Sequence, residues 1–268
     1  MRNIIPFLII WCCLFGGLLF ACSDEFDNQL QTDPEFEAEE IFNASAALDE
    51  HLYFLTMGFE DFQMASSDSL QLPGCPIINV EENDRKVTLI FTNQECPDGT
   101  TRRGGFEISF AEDSLPTMLT YQNYQVRQNT IEGSRSYLRD SSLITENSED
   151  ILVFDSFGSS TRLNLIFHHE LIYLTDTLSQ IATRGEATGR NLAGRPFNMQ
   201  VAEEKIQTLE CWSQGINLAS VGRENWNIER QQGLTVRHQI SYGNQDDCDE
   251  QAEVTLDNGQ RIILTTAN

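Results

Sequence analysis

From Cys75 onward the chain consists of short segments rich in β-branched and aromatic residues, separated by clusters of turn-forming residues. In one of them, Phe106, Ile108 and Phe110 alternate with polar residues and therefore fall on one face of a strand. Roughly sixteen such segments recur at intervals of about ten residues, which is typical of an all-β protein. We predict a mainly β fold for residues 75–268, a large antiparallel meander built as one curved sheet or as two packed sheets.

Two tripeptides are interpreted as turns between predicted strands. Asp257-Asn258-Gly259 has the signature of a tight hairpin. His168-His169-Glu170 separates two predicted strands, and we expect a solvent-facing turn there. Neighbouring residues of a strand point to opposite faces, so this pair of histidines is poorly suited to bind one metal ion.

Residues 35–64 have a different pattern from the β region. Apolar residues recur there at roughly helical spacing, with Ala and Glu between them. The pattern predicts one or two short amphipathic helices, broken near Gly58, whose apolar face packs against the β domain. Residues 65–74 are rich in Ser, Asp, Pro and Gly and are predicted to form a linker.

The N-terminus has the features of an export signal. Arg2 precedes an uncharged run from Ile4 to Phe20, which ends at Ala21-Cys22. This run is shorter than the roughly 20 residues that a membrane span needs, and it fits the apolar region of a signal peptide. The ending resembles a bacterial lipobox, in which the peptide is cut before the cysteine and lipid is attached to its sulfur. We expect residues 1–21 to be a signal peptide, with an uncleaved anchor helix as the alternative.

Residues 22–34 form an acidic, polar tether in this interpretation. Its start, Ser23-Asp24-Glu25-Phe26-Asp27, resembles the export tag of surface lipoproteins in Bacteroidetes-type bacteria, although an ordinary acidic linker is the alternative. Two or more acyl chains, at about 0.8 kcal/mol per buried methylene, hold a protein stably on a membrane. We therefore expect a protein that Cys22 anchors to the outer membrane and that faces the cell surface.

The charge balance narrows the range of partners. The chain has 41 acidic and 17 basic residues, for a net charge of −24, and it has no Lys or Arg between Arg2 and Arg85. Binding to nucleic acid needs clustered cations, so a nucleic-acid partner is not expected. The expected partners are the membrane, through the lipid anchor, and a glycan or an envelope protein.

The cysteines divide into two groups. Three of the seven belong to the leader and anchor: Cys12, Cys13 and Cys22. The other four are an even number in an exported chain, as disulfides require: Cys75, Cys96, Cys211 and Cys248. Of three possible pairings we favour Cys75 with Cys96 and Cys211 with Cys248, because each pair brackets a coherent group of strands. A zinc site is the weaker alternative, since there is no CxxC motif, and unpaired buried thiols are the other.

A set of landmarks occurs along the β region. They include Cys75-Pro76, Cys96-Pro97-Asp98-Gly99, Ile131-Glu132-Gly133-Ser134-Arg135, Thr183-Arg184-Gly185-Glu186-Ala187-Thr188-Gly189, Glu210-Cys211-Trp212 and Tyr242-Gly243. With the lipobox and the N-terminal helical region, this set resembles a family of uncharacterised Bacteroidetes-type lipoproteins. The resemblance implies an exported β domain on a lipid anchor. It implies no activity and supplies no catalytic residue.

Three aromatic residues are candidate binding residues: Trp212, Trp226 and Tyr242. Rings that share an exposed face could stack against sugars, whereas aromatic residues on strands also serve as core or cross-strand pairs. This hypothesis therefore requires that the three rings be exposed.

No catalytic residue, metal ligand or cofactor is predicted from the sequence. The chain has neither a GxSxG nor an HExxH motif. A hydrolase would need His168, His169 or His238 in a pocket beside a carboxylate and a hydroxyl group or metal. The leading hypothesis is a lipid-anchored protein with a structural or binding role. The alternatives are a glycan- or protein-binding module for uptake or adhesion and, third, a hydrolase.

Overall fold

The computed structural model describes residues 33–68, 72–92, 96, 101–230, 233–243, 248 and 250–266. The helices are α1 (Pro34–Asp49), α2 (Leu52–Leu55), α3 (Phe59–Asp68) and α4 (Leu209–Ser213). The first seven strands are β1 (Ile77–Glu81), β2 (Lys86–Thr92), β3 (Arg102–Phe110), β4 (Pro116–Val126), β5 (Asn129–Glu132), β6 (Ser134–Asp140) and β7 (Leu143–Phe154). The other seven are β8 (Ser160–Leu174), β9 (Thr177–Arg190), β10 (Pro196–Thr208), β11 (Val221–Glu229), β12 (Thr235–Tyr242), β13 (Gln251–Thr255) and β14 (Arg261–Thr265).

All fourteen strands belong to one antiparallel sheet in which nearly every strand pairs with its neighbours in sequence. The exception lies around Gly133, where β4 pairs with both β5 and β6 before the chain continues into β7. The predicted mainly β meander with a short N-terminal helical segment is confirmed. Of the two arrangements expected, the described residues form a single sheet. The predicted hairpin at Asp257-Asn258-Gly259 joins β13 to β14.

The buried face of the sheet curves around α1. Side chains alternate along the strands, and in β11 every second residue is buried. Tyr121 on β4 reaches His51, just after α1, and Tyr242 on β12 reaches Ser45 within α1. Strands far apart in the sheet therefore contact one helical segment, which requires a curved sheet. Register shifts in the β3–β4, β7–β8 and β9–β10 pairs mark bulges that bend the strands.

Aromatic rings fill the space between the helices and the first strands. The ring centroid of Phe106 on β3 lies 5.3 Å from those of Phe54 and Tyr124 and 5.8 Å from that of Phe91. Each such pair contributes about 0.5–1.5 kcal/mol beyond the burial of its surface. The helical segment is thus part of the same hydrophobic core as the strands, and Glu35–Asn268 forms one unit by its contacts.

Two local predictions were wrong. Helix α3 runs to Asp68, into the segment predicted as a linker, because Ala65 is buried against the core. His168-His169-Glu170 lies inside the long strand β8, not in a turn. Its polar side chains are accommodated there because His169 has polar partners inside the sheet. None of the helices within the described ranges is long and apolar enough to cross a membrane.

Candidate functional site

Helix α1 and the two residues after it carry many polar side chains into the interior. Six of them are less than a tenth exposed: Glu37, Glu40, Ser45, Asp49, Glu50 and His51. An unpaired buried charge costs several kcal/mol, so each of these groups needs a partner. The partners come from strands distributed across the sheet.

Glu146 on β7 is the centre of one buried cluster. Arg135 on β6 donates two hydrogen bonds to its carboxylate, at 2.6 and 2.5 Å, and Ser148 donates a third at 2.8 Å. Burial alone raises the pKa of Glu146, but the charge of Arg135 and the hydrogen bonds from His169 and Arg135 outweigh it and hold the pKa well below its ordinary value. Arg135 also donates to the carbonyl of Leu48 at 2.8 Å, which ties α1 to the sheet.

His51 joins the same cluster as a neutral imidazole. Burial and the charge of Arg135 hold its pKa well below the ordinary value of 6.5. The hydroxyl of Tyr121 lies 2.8 Å from Nδ1, and that of Tyr137 lies 2.8 Å from Nε2. Because Arg135 also points at Nδ1, at 3.4 Å, Nδ1 is the acceptor and Nε2 donates to Tyr137.

Lys205 on β10 is the centre of a second cluster. Its Nζ lies 2.6 Å from Asp49 in α1 and 2.7 Å from Glu224 on β11. Glu224 also accepts hydrogen bonds from Ser45 at 2.7 Å and from the indole of Trp226 at 2.9 Å. Burial alone lowers the pKa of Lys205, but the two carboxylates outweigh it and raise the pKa well above its ordinary value.

Two further carboxylates of the helical segment are paired in the same way. Glu50 accepts from Arg102 at 2.6 Å and from the hydroxyl of Tyr124 at 2.8 Å. Glu37 accepts from Arg230 at 2.6 and 2.7 Å and lies 3.1 Å from His238. These contacts connect the helical segment to β3 and to the β11–β12 region of the curved sheet.

Glu40 differs from the other buried carboxylates. It accepts hydrogen bonds from the hydroxyl of Thr161, at 3.2 Å, and from the backbone N–H of Leu192, at 2.6 Å. Burial raises the pKa of Glu40, and the charges of Glu37 and Asp155 add to the rise, while these two hydrogen bonds partly offset it. No Lys, Arg or His among the described residues forms an ion pair with Glu40.

Glu40 lies in the wall of a cleft of about 140 Å³. Helix α1 supplies five residues at the spacing i, i+3, i+4, i+7 and i+8, which places them on one helical face: Phe36, Glu39, Glu40, Asn43 and Ala44. The opposite side is formed by the start of β5 and by the β7–β8 turn. In that turn Asp155 accepts from the N–H groups of Phe157 and Ser159, both at 2.9 Å, and the ring of Phe157 is 87% exposed.

The three aromatic residues named from the sequence are buried. Trp212 and Trp226 are each 1% exposed and Tyr242 is 7% exposed. They therefore form no exposed stacking surface, and their interpretation as binding residues is corrected. Trp226 on β11 and Tyr242 on β12 both donate to the buried Glu224, at 2.9 and 3.2 Å. Trp212 lies in α4, and its ring centroid is 5.8 Å from that of Tyr53.

The cysteines pair as favoured from the sequence. Cys75 is bonded to Cys96 and Cys211 to Cys248. The first bond joins the segments that flank β1 and β2, and the second joins α4 to the connection between β12 and β13. The proposed lipid-bearing residue, Cys22, lies outside the described residues.

His169 has some of the contacts that a hydrolase would need. Its Nε2 lies 3.3 Å from Glu146 and its Nδ1 lies 2.9 Å from the hydroxyl of Thr183. All three side chains are at most 3% exposed, and Glu146 is already neutralised by Arg135. These three side chains therefore lack the open pocket that the hydrolase hypothesis requires.

The cleft was not anticipated from the sequence. The first turns of α1 contain three glutamates that look like an ordinary acidic helix start: Glu37, Glu39 and Glu40. Nothing in their spacing shows that Glu40 is the buried one without an ion pair to another described residue. The available signal was the number of carboxylates interleaved with small and apolar residues, which indicates a helix that is buried on several sides. Among the described residues, no three His, Cys, Asp or Glu side chains converge as a metal site requires.

No protein family model matches the chain, and neither a curated protein nor a solved structure matches it.

Proposed function

We propose that this chain is a lipid-anchored protein of the outer membrane that faces the cell surface and has a structural or binding role. The observation that carries the proposal is Cys22, which ends an uncharged apolar leader and is followed by an acidic segment. Two disulfides in the described domain agree with export to an oxidising compartment.

A non-catalytic role is supported by how the buried polar groups are used. Apart from Glu40, which borders the cleft, the buried carboxylates form ion pairs with cations of the interior, and His51, His169 and His238 are at most 3% exposed. A binding role is favoured by the cleft beside Glu40, where polar groups and exposed aromatic rings meet. A sugar-stacking platform built from Trp212, Trp226 and Tyr242 is not part of this proposal.

The anchor is tested by replacing Cys22 with serine. Cys22→Ser should move the protein from the membrane fraction to the soluble fraction, because the sulfur that would carry the acyl chains is removed. Cys13→Ser, in the same leader, is the matched control and should stay with the membrane. If Cys22→Ser remains in the membrane fraction and incorporates labelled palmitate as well as the parent chain does, the anchor assignment is wrong.

Surface exposure is tested separately by treating intact cells with a protease. We expect the chain to be degraded while a periplasmic marker protein survives. Protection of the chain until the outer membrane is opened would refute the surface location and leave the lipid anchor standing.

A further inference from the structure

The interior contains six buried carboxylates among the described residues: Glu37, Glu40, Asp49, Glu50, Glu146 and Glu224. Five of them form ion pairs with Arg or Lys, at contact distances of 2.5–2.7 Å. Glu40 is 7% exposed and has only a hydroxyl group and a backbone amide as partners. Since a buried carboxylate is stabilised best by a cation, this position lacks the group that the other five have.

A second observation at the same place indicates a ligand. Asn129, the first residue of β5, lines the cleft and is only 9% exposed. Its side-chain amide makes no hydrogen bond to another described residue, and its polar atoms are open to the cleft, where an occupant can reach them. An occupant with a hydrogen-bonding group would satisfy Asn129 and Glu40 together.

The rim of the cleft suits the aliphatic part of such an occupant. Phe36 is 40% exposed and Phe157 is 87% exposed, and both line the opening. Phe157 is presented at the tip of the β7–β8 turn, whose backbone is held by Asp155. Phenyl rings attract cations and cover alkyl chains, so the rim and the carboxylate favour the same kind of group.

We propose that this cleft binds a cationic group on an alkyl stem, the side chain of a lysine or arginine on a partner protein. The ammonium or guanidinium group would lie between Glu40 and Asn129, and the stem would lie between Phe36 and Phe157. The size agrees, because about 140 Å³ is below the 300–1,000 Å³ of typical small-molecule sites and accommodates one side chain. The strongly acidic chain, with a net charge of −24, would attract a basic partner over a longer range.

The proposal deepens the binding role proposed above, but it does not depend on the lipid anchor. Binding is measured with the full chain in detergent solution, where attachment to a membrane has no effect. If the cleft does not bind the lysine side chain, the membrane fractionation of Cys22→Ser is unaffected. If Cys22 carries no lipid, the binding measured at the cleft is unaffected.

The test is calorimetric titration with acetyl-Gly-Lys-Gly-amide and with the same peptide carrying norleucine, which keeps the stem and lacks the ammonium group. We expect the lysine peptide to bind on the order of tenfold more tightly, as for a charge-assisted contact. Equal affinities for the two peptides would overturn the proposal. Cadaverine is the third probe; if it binds more tightly than the lysine peptide, the occupant is a free amine, and the assignment to a partner protein is overturned.

Two variants test whether the lysine peptide binds at Glu40. Glu40→Gln keeps an oxygen that accepts from Thr161 and Leu192, so the fold is retained while the charge is lost, and affinity for the lysine peptide should fall about tenfold. Glu112→Gln, an exposed position outside the cleft, is the charge-matched control and should bind as the parent does. Unchanged affinity in Glu40→Gln, with a parent-like circular dichroism spectrum, would refute the site.

A second variant and its control test the contribution of the aromatic rim to binding. Phe157→Ala should weaken binding of the lysine peptide by a factor of about three, in line with an exposed cation–π contact. Tyr173→Ala removes a half-exposed ring outside the cleft and should leave binding unchanged. If Phe157→Ala binds as tightly as the parent, the stem does not lie against this ring, and that part of the proposal is wrong.

Discussion

Glu146 and Glu40 are both buried carboxylates beneath the same sheet, and they are stabilised in opposite ways. Glu146 has Arg135 and His169 beside it, and these groups hold its pKa well below the ordinary value. Within the described part of the chain Glu40 has only neutral partners, and burial raises its pKa. The comparison shows that the described strands supply cations to the enclosed carboxylates of α1 and supply none to the carboxylate that borders the cleft.

The largest effect is expected from breaking the enclosed pair. Glu146→Gln leaves Arg135 buried without a counter-charge and should lower the free energy of unfolding by about 3–5 kcal/mol. Urea unfolding at pH 7 measures the loss. The double variant Arg135→Met with Glu146→Leu removes both charges and should recover most of it. If the double variant is no more stable than the single one, the loss does not come from an unpaired charge.

A smaller effect of opposite sign, an increase in stability at pH 7, is expected when the charge of Glu40 in the cleft is removed. Because the folded pKa of Glu40 is raised above its ordinary value of 4.5, the unfolded chain loses this proton first as pH rises. The contribution of Glu40 to stability is therefore favourable at low pH and is lost as pH rises through the folded pKa. The nearby acids Glu37 and Asp155 contribute to the raised value.

Glu40→Gln should consequently be more stable than the parent at pH 7. For a gain of about 1 kcal/mol, the melting temperature would rise by about 2–4 °C. At pH 4, below the ordinary value of 4.5, the parent side chain is mostly protonated in both states, so the difference should shrink. Calorimetry at the two pH values measures it. A loss of stability at pH 7 would contradict the assignment of an uncompensated charge to Glu40.

The smallest effect is expected from supplying the missing cation within the chain. Asn43 lies three residues after Glu40 on the same face of α1, so Asn43→Lys creates a helical i, i+3 ion pair worth about 0.2–0.5 kcal/mol. Asn43→Met is the control of similar size without a charge. The lysine variant should be slightly more stable than the methionine variant, and it should no longer bind the lysine peptide. Full retention of peptide binding would mean that the peptide does not compete for Glu40.

Much of the β architecture follows from local patterns. The alternation around Phe106 and the hairpin at Asp257-Asn258-Gly259 depend on backbone geometry within a few residues, and both appear in the sheet as predicted. The disulfide pairing followed from the grouping of nearby strands. By contrast, the turn predicted at His168-His169-Glu170 was wrong, because Glu146 and Thr183 give His169 partners inside the sheet that the local pattern does not contain.

The site could be predicted only in part, for a similar reason. Alternation shows that Trp226 shares a face with its second neighbours along β11, but it does not show whether that face is covered. The helical segment covers it, so the expected exposed rings are core residues. Cys22 is identified by the sequence around it, since a processing signal is recognised as a linear peptide, and the lipid anchor stays a prediction.

The sequence by itself therefore determined the strand-rich domain, the N-terminal helical region and the disulfide-forming cysteines, because each depends on period, composition or short spacing. Only the tertiary structure decided which carboxylates of α1 acquire a cation. Three of these cations come from strands distant in sequence, and Arg230 directly follows β11; the curvature of the sheet brings them to the helix: Arg102, Arg135, Lys205 and Arg230. Glu40 faces the one side of α1 where the described strands provide a cleft instead of a cation, and that difference is a property of the folded sheet.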